Sequence, residues 1–152
     1  MTMQKLQSAS CMILKTNEQQ WLVPRNIIAE VIKYSFIDAS EDKDSGLSFI
    51  EWRGCRLPHI TLFKPGEAVK TDTPEENRVV IVYGLQNPGI LPYYSFQISK
   101  SPQLLQVDES DMKQINTQSL HPGQLMQVEV EGIKAFIPQV DYFENSILKR
   151  IH

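Results

Sequence analysis

The chain has 152 residues, 41% of them hydrophobic, and a formal net charge of -3. That length fits one ordinary domain, and that apolar share fits a real core rather than disorder. Lys and Arg are scattered among acids, with only Lys149-Arg150 adjacent, which argues against the basic footprint of a nucleic-acid or anionic-membrane surface.

The opening "MTMQKLQSASCMILKTNEQQ" has no basic segment followed by an apolar stretch, and no run of eighteen apolar residues follows, so the chain reads as soluble and cytoplasmic. Cys11 and Cys55 form no paired motif and read as two buried free thiols in a reducing compartment.

In chain order, "CMILKT" and "QWLVP" are the first of many short runs rich in Val, Ile, Tyr and Phe. "PRNIIAEV" holds one helical turn, with Pro24 suited to its first position because the missing N–H has no helical partner there. "EVIKYSFI" leads into the polar loop "FIDASEDKDSG", and "LSFIEW" and "RLPHITLF" flank the pair Arg53-Gly54. Pro58 cannot donate to a ladder and marks its strand as an edge or a bulge. "FKPGEAVKTDTPEENR", residues 63–78, reads as an exposed connection. Beyond it come "RVVIVYGL", "YYSFQIS", a second turn in "DESDMKQI" capped by Asp108, and the runs "LMQVEVE" and "IKAFIP" around Glu131-Gly132. The chain closes on "QVDYFENSILKRIH", with Phe143, Ile147 and Leu148 at helical spacing. So many short strands imply barrels or a sandwich.

The halves resemble each other. "WLVPRNIIAEV" and "LQVDESDMKQI" share the pattern strand, turn, strand, and "IEWRGCR" and "VEVEGIK" share apolar, Glu, apolar, charge, Gly. Two copies of a small barrel joined across an apolar seam satisfy this pattern. Arg53-Gly54 and Glu131-Gly132 each fit a two-residue hairpin loop in which Gly takes positive φ. The turn is common to both copies but its first residue is not, so barrel building does not demand Arg53; a local salt bridge or a partner contact explains it. Glu30 sits in apolar "IIAEVI", where a carboxylate costs desolvation unless a cation meets it, and Arg53 is the available cation in the same half.

No reaction is nominated. His59, His121 and His152 stand apart without ligand-spaced neighbours, and a satisfied, partly exposed imidazole is the reading for His59. "LQNPGILP" is a turn, not a phosphate loop, and Glu75-Glu76 and Asp108-Glu109 fit solvation and capping. A non-enzyme without metal or cofactor is expected.

"WLVPRNIIAEVI" followed by "GLSFIEWRGCRLPHITL" resembles the CheW-like domain of bacterial chemosensory coupling proteins, through Val23, Pro24, Glu30, Val31, Arg53, Gly54, Pro58 and Leu62. The resemblance is strongest in the first half and extends over nearly the whole chain. It implies a mainly β fold of two small SH3-like five-stranded barrels around a shared apolar core, with a C-terminal helix. One domain, 1–152, would comprise a first lobe of 8–63 plus the C-terminal return, a linker of 64–77 and a second lobe of 78–137. It further implies an adaptor joining the regulatory domain of a CheA-type histidine kinase to the cytoplasmic tip of a chemoreceptor, recruited to membrane-associated arrays, with contacts to other CheW-like proteins admitted. Val23, Glu30, Ile32, Arg53, Gly54 and Pro58 are the partner-binding positions it implies, with an apolar groove between the lobes. "LPYYSFQISKSPQLLQVDESDM" is similar to the accessory CheW-like proteins of systems controlling type IV pili and twitching motility, the ChpC type. A receptor-only linker, an edge-paired structural dimer through "EVIKYSFI" and an oligonucleotide-binding barrel are the competing readings. The last requires aromatic platforms interleaved with cations, whereas Trp21 and Trp52 each lie near one arginine.

Overall fold

The computed structural model describes residues 8–16, 19–33, 39–60, 74–116 and 120–151. Its strands are β1 (Ser8–Thr16), β2 (Gln19–Pro24), β3 (Ile28–Lys33), β4 (Ala39–Glu41), β5 (Ser48–Trp52), β6 (Cys55–Ile60), β7 (Arg78–Tyr83), β8 (Tyr93–Ile98), β9 (Gln103–Asp108), β10 (Met112–Ile115), β11 (Gln124–Val130) and β12 (Ile133–Pro138), followed by helix α1 (Val140–Leu148). Each apolar run of the sequence is a strand where it is described, residues 34–37 of "EVIKYSFI" and 61–63 of "RLPHITLF" lying outside the described residues, and the expected turns are 3-10 turns at Arg25–Ile27 and Glu109–Asp111. Pro24 is the residue before its turn rather than the first inside it, and Asp108 ends β9 directly before the other. The polar loop before β5 contains β4, whose Ala39 and Ser40 pair with Ile50 and Phe49.

The strands form two barrel-like sheets in the orders β10-β11-β12-β2-β1-β9 and β4-β5-β6-β8-β7-β3. Each has six strands where five were expected. The two orders match position by position, so β1–β6 repeat as β7–β12. In both copies the first two strands join the sheet built by the last four strands of the other. The lobes are therefore not the contiguous segments 8–63 and 78–137. Each is completed by a hairpin from the opposite half, through parallel contacts of β12 with β2 and β6 with β8. The hairpin repeat, β5–β6 against β11–β12, is the one the sequence shows. The other repeated motif, β2-turn-β3 against β9-turn-β10, is locally alike but occupies different sheet positions. Residues 64–73 of the expected linker, and Leu62, lie outside the described residues.

This exchange explains the consecutive apolar residues Ile13-Leu14 of β1, Trp21-Leu22-Val23 of β2 and Val79-Val80-Ile81-Val82 of β7: there both faces of the strand are covered. Cys11, Ile13 and Leu22 face the interior of one barrel with Val107, Val128 and Val130. Val79 and Ile81 face the interior of the other with Ile50 and Leu57. Their alternate neighbours Leu14, Trp21, Val23, Val80, Val82, Tyr94, Phe96 and Ile98 form the seam between the sheets. Phe143 and Ile147 of α1 close that seam. Trp21 is fully buried, and its Nε1–H donates to Thr16 Oγ1 at 2.9 Å, which satisfies the one polar atom it brings into the core. No described helix is long and apolar enough to cross a membrane.

Candidate functional site

The β5–β6 and β11–β12 hairpins close in the same way. Trp52 pairs with Cys55 and Val130 with Ile133, leaving two-residue loops. Arg53 and Gly54 have φ of 49° and 77°, and Glu131 and Gly132 have 50° and 78°. Positive φ at both central residues is the type I′ turn, whose twist matches the flanking strands. A non-glycine residue therefore holds a left-handed conformation at the tip of each lobe.

At the first tip, Arg53 reaches back to Glu30, with Nη2 3.0 Å from Oε1. The same carboxylate oxygen accepts the Trp52 Nε1–H at 3.0 Å, and the guanidinium lies 5.1 Å from the Trp52 ring centroid. The ion pair read from the sequence is thus present, and Trp52 is the member that the sequence did not reveal. Glu30 is aimed by a bulge: Ile28 pairs with Val82 and Glu30 with Ile81, so one residue on β3 has no counterpart on β7. The slip puts Ala29 and Ile32 against the barrel interior and Ile28 and Val31 against the seam, which strict alternation forbids. Arg53 remains 72% exposed and Glu30 35%, so the charge stays available at the surface.

Trp52 continues into an aromatic row, edge-on to Tyr93 at 5.0 Å, with Tyr83 5.5 Å beyond. Tyr83 is 43% exposed. Beside this row lies an open groove of about 600 Å³, with Phe49, Leu57, Pro58, Tyr93 and Ile151 in its lining together with the charged residues Asp42, Asp44, Arg56 and Arg150. Arg56 lies over the Phe49 ring at 4.0 Å. Ser45 Oγ–H and the Asp44 N–H donate to Asp42, holding its carboxyl below the ordinary carboxylate range. None of the lining comes from the sheet containing β1, so this groove belongs to one lobe and the C-terminal segment, not to the space between lobes.

The expected partner-binding residues fall into three settings. Arg53, Gly54 and Glu30 reach the surface, and Ile32 is half-buried behind them. Val23 is 1% exposed in the seam, so it shapes a surface only through packing. Pro58 is buried and β6 is an interior strand between β5 and β8, not an edge. Counting from the Trp52–Cys55 closing pair, Phe49–Pro58 is a non-hydrogen-bonded pair, so the missing N–H costs no bond to β5.

His59 is satisfied as expected. Ser95 Oγ–H donates to the Pro58 carbonyl at 3.2 Å, so its oxygen accepts from His59 Nδ1–H at 2.9 Å. Burial lowers the His59 pKa to about 4, which keeps the ring neutral at pH 7. His121 is exposed in its loop, and His152 lies outside the described residues. Among the described residues no group of three or more His, Cys, Asp or Glu side chains is placed to hold a metal ion. Cys11 is buried, and its thiol is raised by desolvation; Cys55 is exposed, contrary to the two-buried-thiols reading, because it follows the turn on the outward face.

No family model matches the sequence, and no curated protein matches it either. Among solved structures, the scaffolding protein TtCheW from Thermoanaerobacter tengcongensis superposes with a TM-score of 0.63 at 14% identity, over 88% of this chain and 90% of that one. At that identity the likeness establishes the fold.

Proposed function

We propose that this chain is a non-catalytic scaffold of a bacterial chemosensory array, coupling the cytoplasmic tip of a chemoreceptor to the regulatory domain of a CheA-type histidine kinase. The observation that carries the reading is a fold shared over nearly the full length of both chains with a protein described as a scaffold. Position supports it as well. The residues that carry the sequence resemblance, Glu30 and Arg53, meet as an exposed pair at the tip of one lobe, while the same turn of the other lobe presents Glu131. Arg53, Gly54 and Glu30 contact a partner directly, Ile32 supports them from behind, Val23 acts through packing in the seam, and Pro58 borders the adjoining groove. The finer reading places the protein with the ChpC type of accessory protein in a system controlling type IV pili and twitching motility. It would work in the cytoplasm and be recruited to membrane-associated receptors.

Co-purification tests this. Wild type and Arg53→Ala are expressed in cells containing a CheA-type kinase and chemoreceptors, and the retained proteins are identified. Retention of receptor or kinase by wild type and its loss from the folded variant is expected. Folded wild type that retains neither overturns the adaptor reading, and retention of receptor alone selects the receptor-only linker.

A further inference from the structure

Glu144 is 0% exposed on helix α1, and among the described residues the bonds it accepts come from the β7–β8 hairpin. The Leu85 N–H donates to Oε1 at 2.9 Å and Oε2 at 3.1 Å, the Gln86 N–H to Oε1 at 2.8 Å, and the Tyr94 O–H to Oε2 at 3.0 Å. A carboxyl group buried this deeply is tolerable only while its hydrogen-bond donors are in place. Burial, and then the neighbouring Glu144, raise the Tyr94 pKa, so the phenol stays protonated and able to donate.

The hairpin loop held in this way is tightly drawn. The Gly84 N–H donates to the Pro92 carbonyl at 2.9 Å, and a Cβ on Gly84 would stand 1.7 Å from the Leu91 carbonyl oxygen. Beyond this neck the loop exposes Leu85 by 52% and Ile90 by 62%. The groove described above has Ile90, Leu91, Pro92 and Tyr93 on one wall and Arg150 and Ile151, just past α1, on another. One side chain therefore fixes two walls of the same groove relative to each other.

We infer that Glu144 is a catch coupling the seating of the C-terminal helix to the shape of the β7–β8 loop and its groove: displacement of the helix dismantles the groove, and occupation of the groove holds the helix down. The second half follows from the first, because coupling between two binding events is reciprocal. The inference rests on bonds within the chain and stands whether or not the scaffold reading does.

The test uses the full chain carrying an environment-sensitive fluorophore on Cys55, the exposed thiol in the groove lining, Cys11 being buried. Amide hydrogen exchange and fluorophore emission and anisotropy are compared for wild type, Glu144→Gln and Tyr94→Phe. Expected in Glu144→Gln is exchange at Leu85 and Gln86 at least tenfold faster, with β11 and β12 unchanged and a changed emission at Cys55. Unchanged amide protection overturns the inference; so does faster amide exchange with an unaltered Cys55 signal, since the groove would then be independent of the catch. Should Glu144→Gln loosen the whole molecule, Tyr94→Phe, which removes one donor, is judged by the same two readouts.

Discussion

The two type I′ turns provide an internal control for Arg53. Both place a non-glycine residue at φ near 50°, a conformation that costs about 1–2 kcal/mol for most side chains and less for Asn. Glu131→Asn should therefore stabilise the protein by about 1 kcal/mol. Arg53→Asn relieves the same strain but removes the ion pair with Glu30, about 0–1 kcal/mol for a pair this exposed, and the stacking over Trp52, about 0.5–1 kcal/mol. Its net effect should lie between about 0.5 kcal/mol of stabilisation and about 1 kcal/mol of destabilisation, below that of Glu131→Asn throughout. Urea denaturation with a shared m-value separates the two, and the thermal midpoints should differ by roughly 1–8 °C for a domain of this size. Equal stabilisation by both substitutions would refute the claim that Arg53 is anchored within its own lobe; destabilisation by Glu131→Asn would refute the turn argument itself.

Acid should also weaken the fold through His59. Its pKa of about 4 in the folded state lies below the ordinary 6.5, so the unfolded chain binds more protons between those values and stability falls as pH drops through that window. Allowing for the ring's partial exposure, wild type should lose about 1–2 kcal/mol more than His59→Gln between pH 6.5 and 4; parallel denaturation profiles would contradict this. Gly84→Ala should cost about 3 kcal/mol by forcing the neck of the loop apart, read as a lower urea midpoint, and a neutral result would refute the close approach to Leu91. Leu14→Ala, in the seam, should destabilise by about 2–5 kcal/mol in a single transition reported alike by both lobes; two separated transitions would show that the lobes fold independently.

The strands, the two hairpin turns and the Glu30–Arg53 pair were legible because each is written locally: a period of two, a Gly after a charged residue, an acid among apolar neighbours. The exchange of hairpins between lobes was not, since the pairing of β12 with β2 and of β6 with β8 joins segments that carry no mark of each other. Pro58 misled for a related reason. A proline signals a missing donor but not the side on which the donor is missing, and here that side faces away from β5. Trp52 became part of the site only through the bulge at Ala29, which no residue type announces. Glu144 did leave a signal: it stands with Val140, Phe143, Ile147 and Leu148 on the apolar stripe of α1, where a carboxylate needs buried donors. Which donors these are is decided by a hairpin some sixty positions earlier.

The central claim is tested most directly by titrating purified protein with the regulatory domain of a CheA-type kinase and a chemoreceptor cytoplasmic fragment from the same cell, first separately and then together. The account predicts saturable binding to each and a ternary complex that Arg53→Ala weakens while Glu131→Asn leaves intact. Folded wild type that binds neither would contradict it, leaving the shared fold without the shared role.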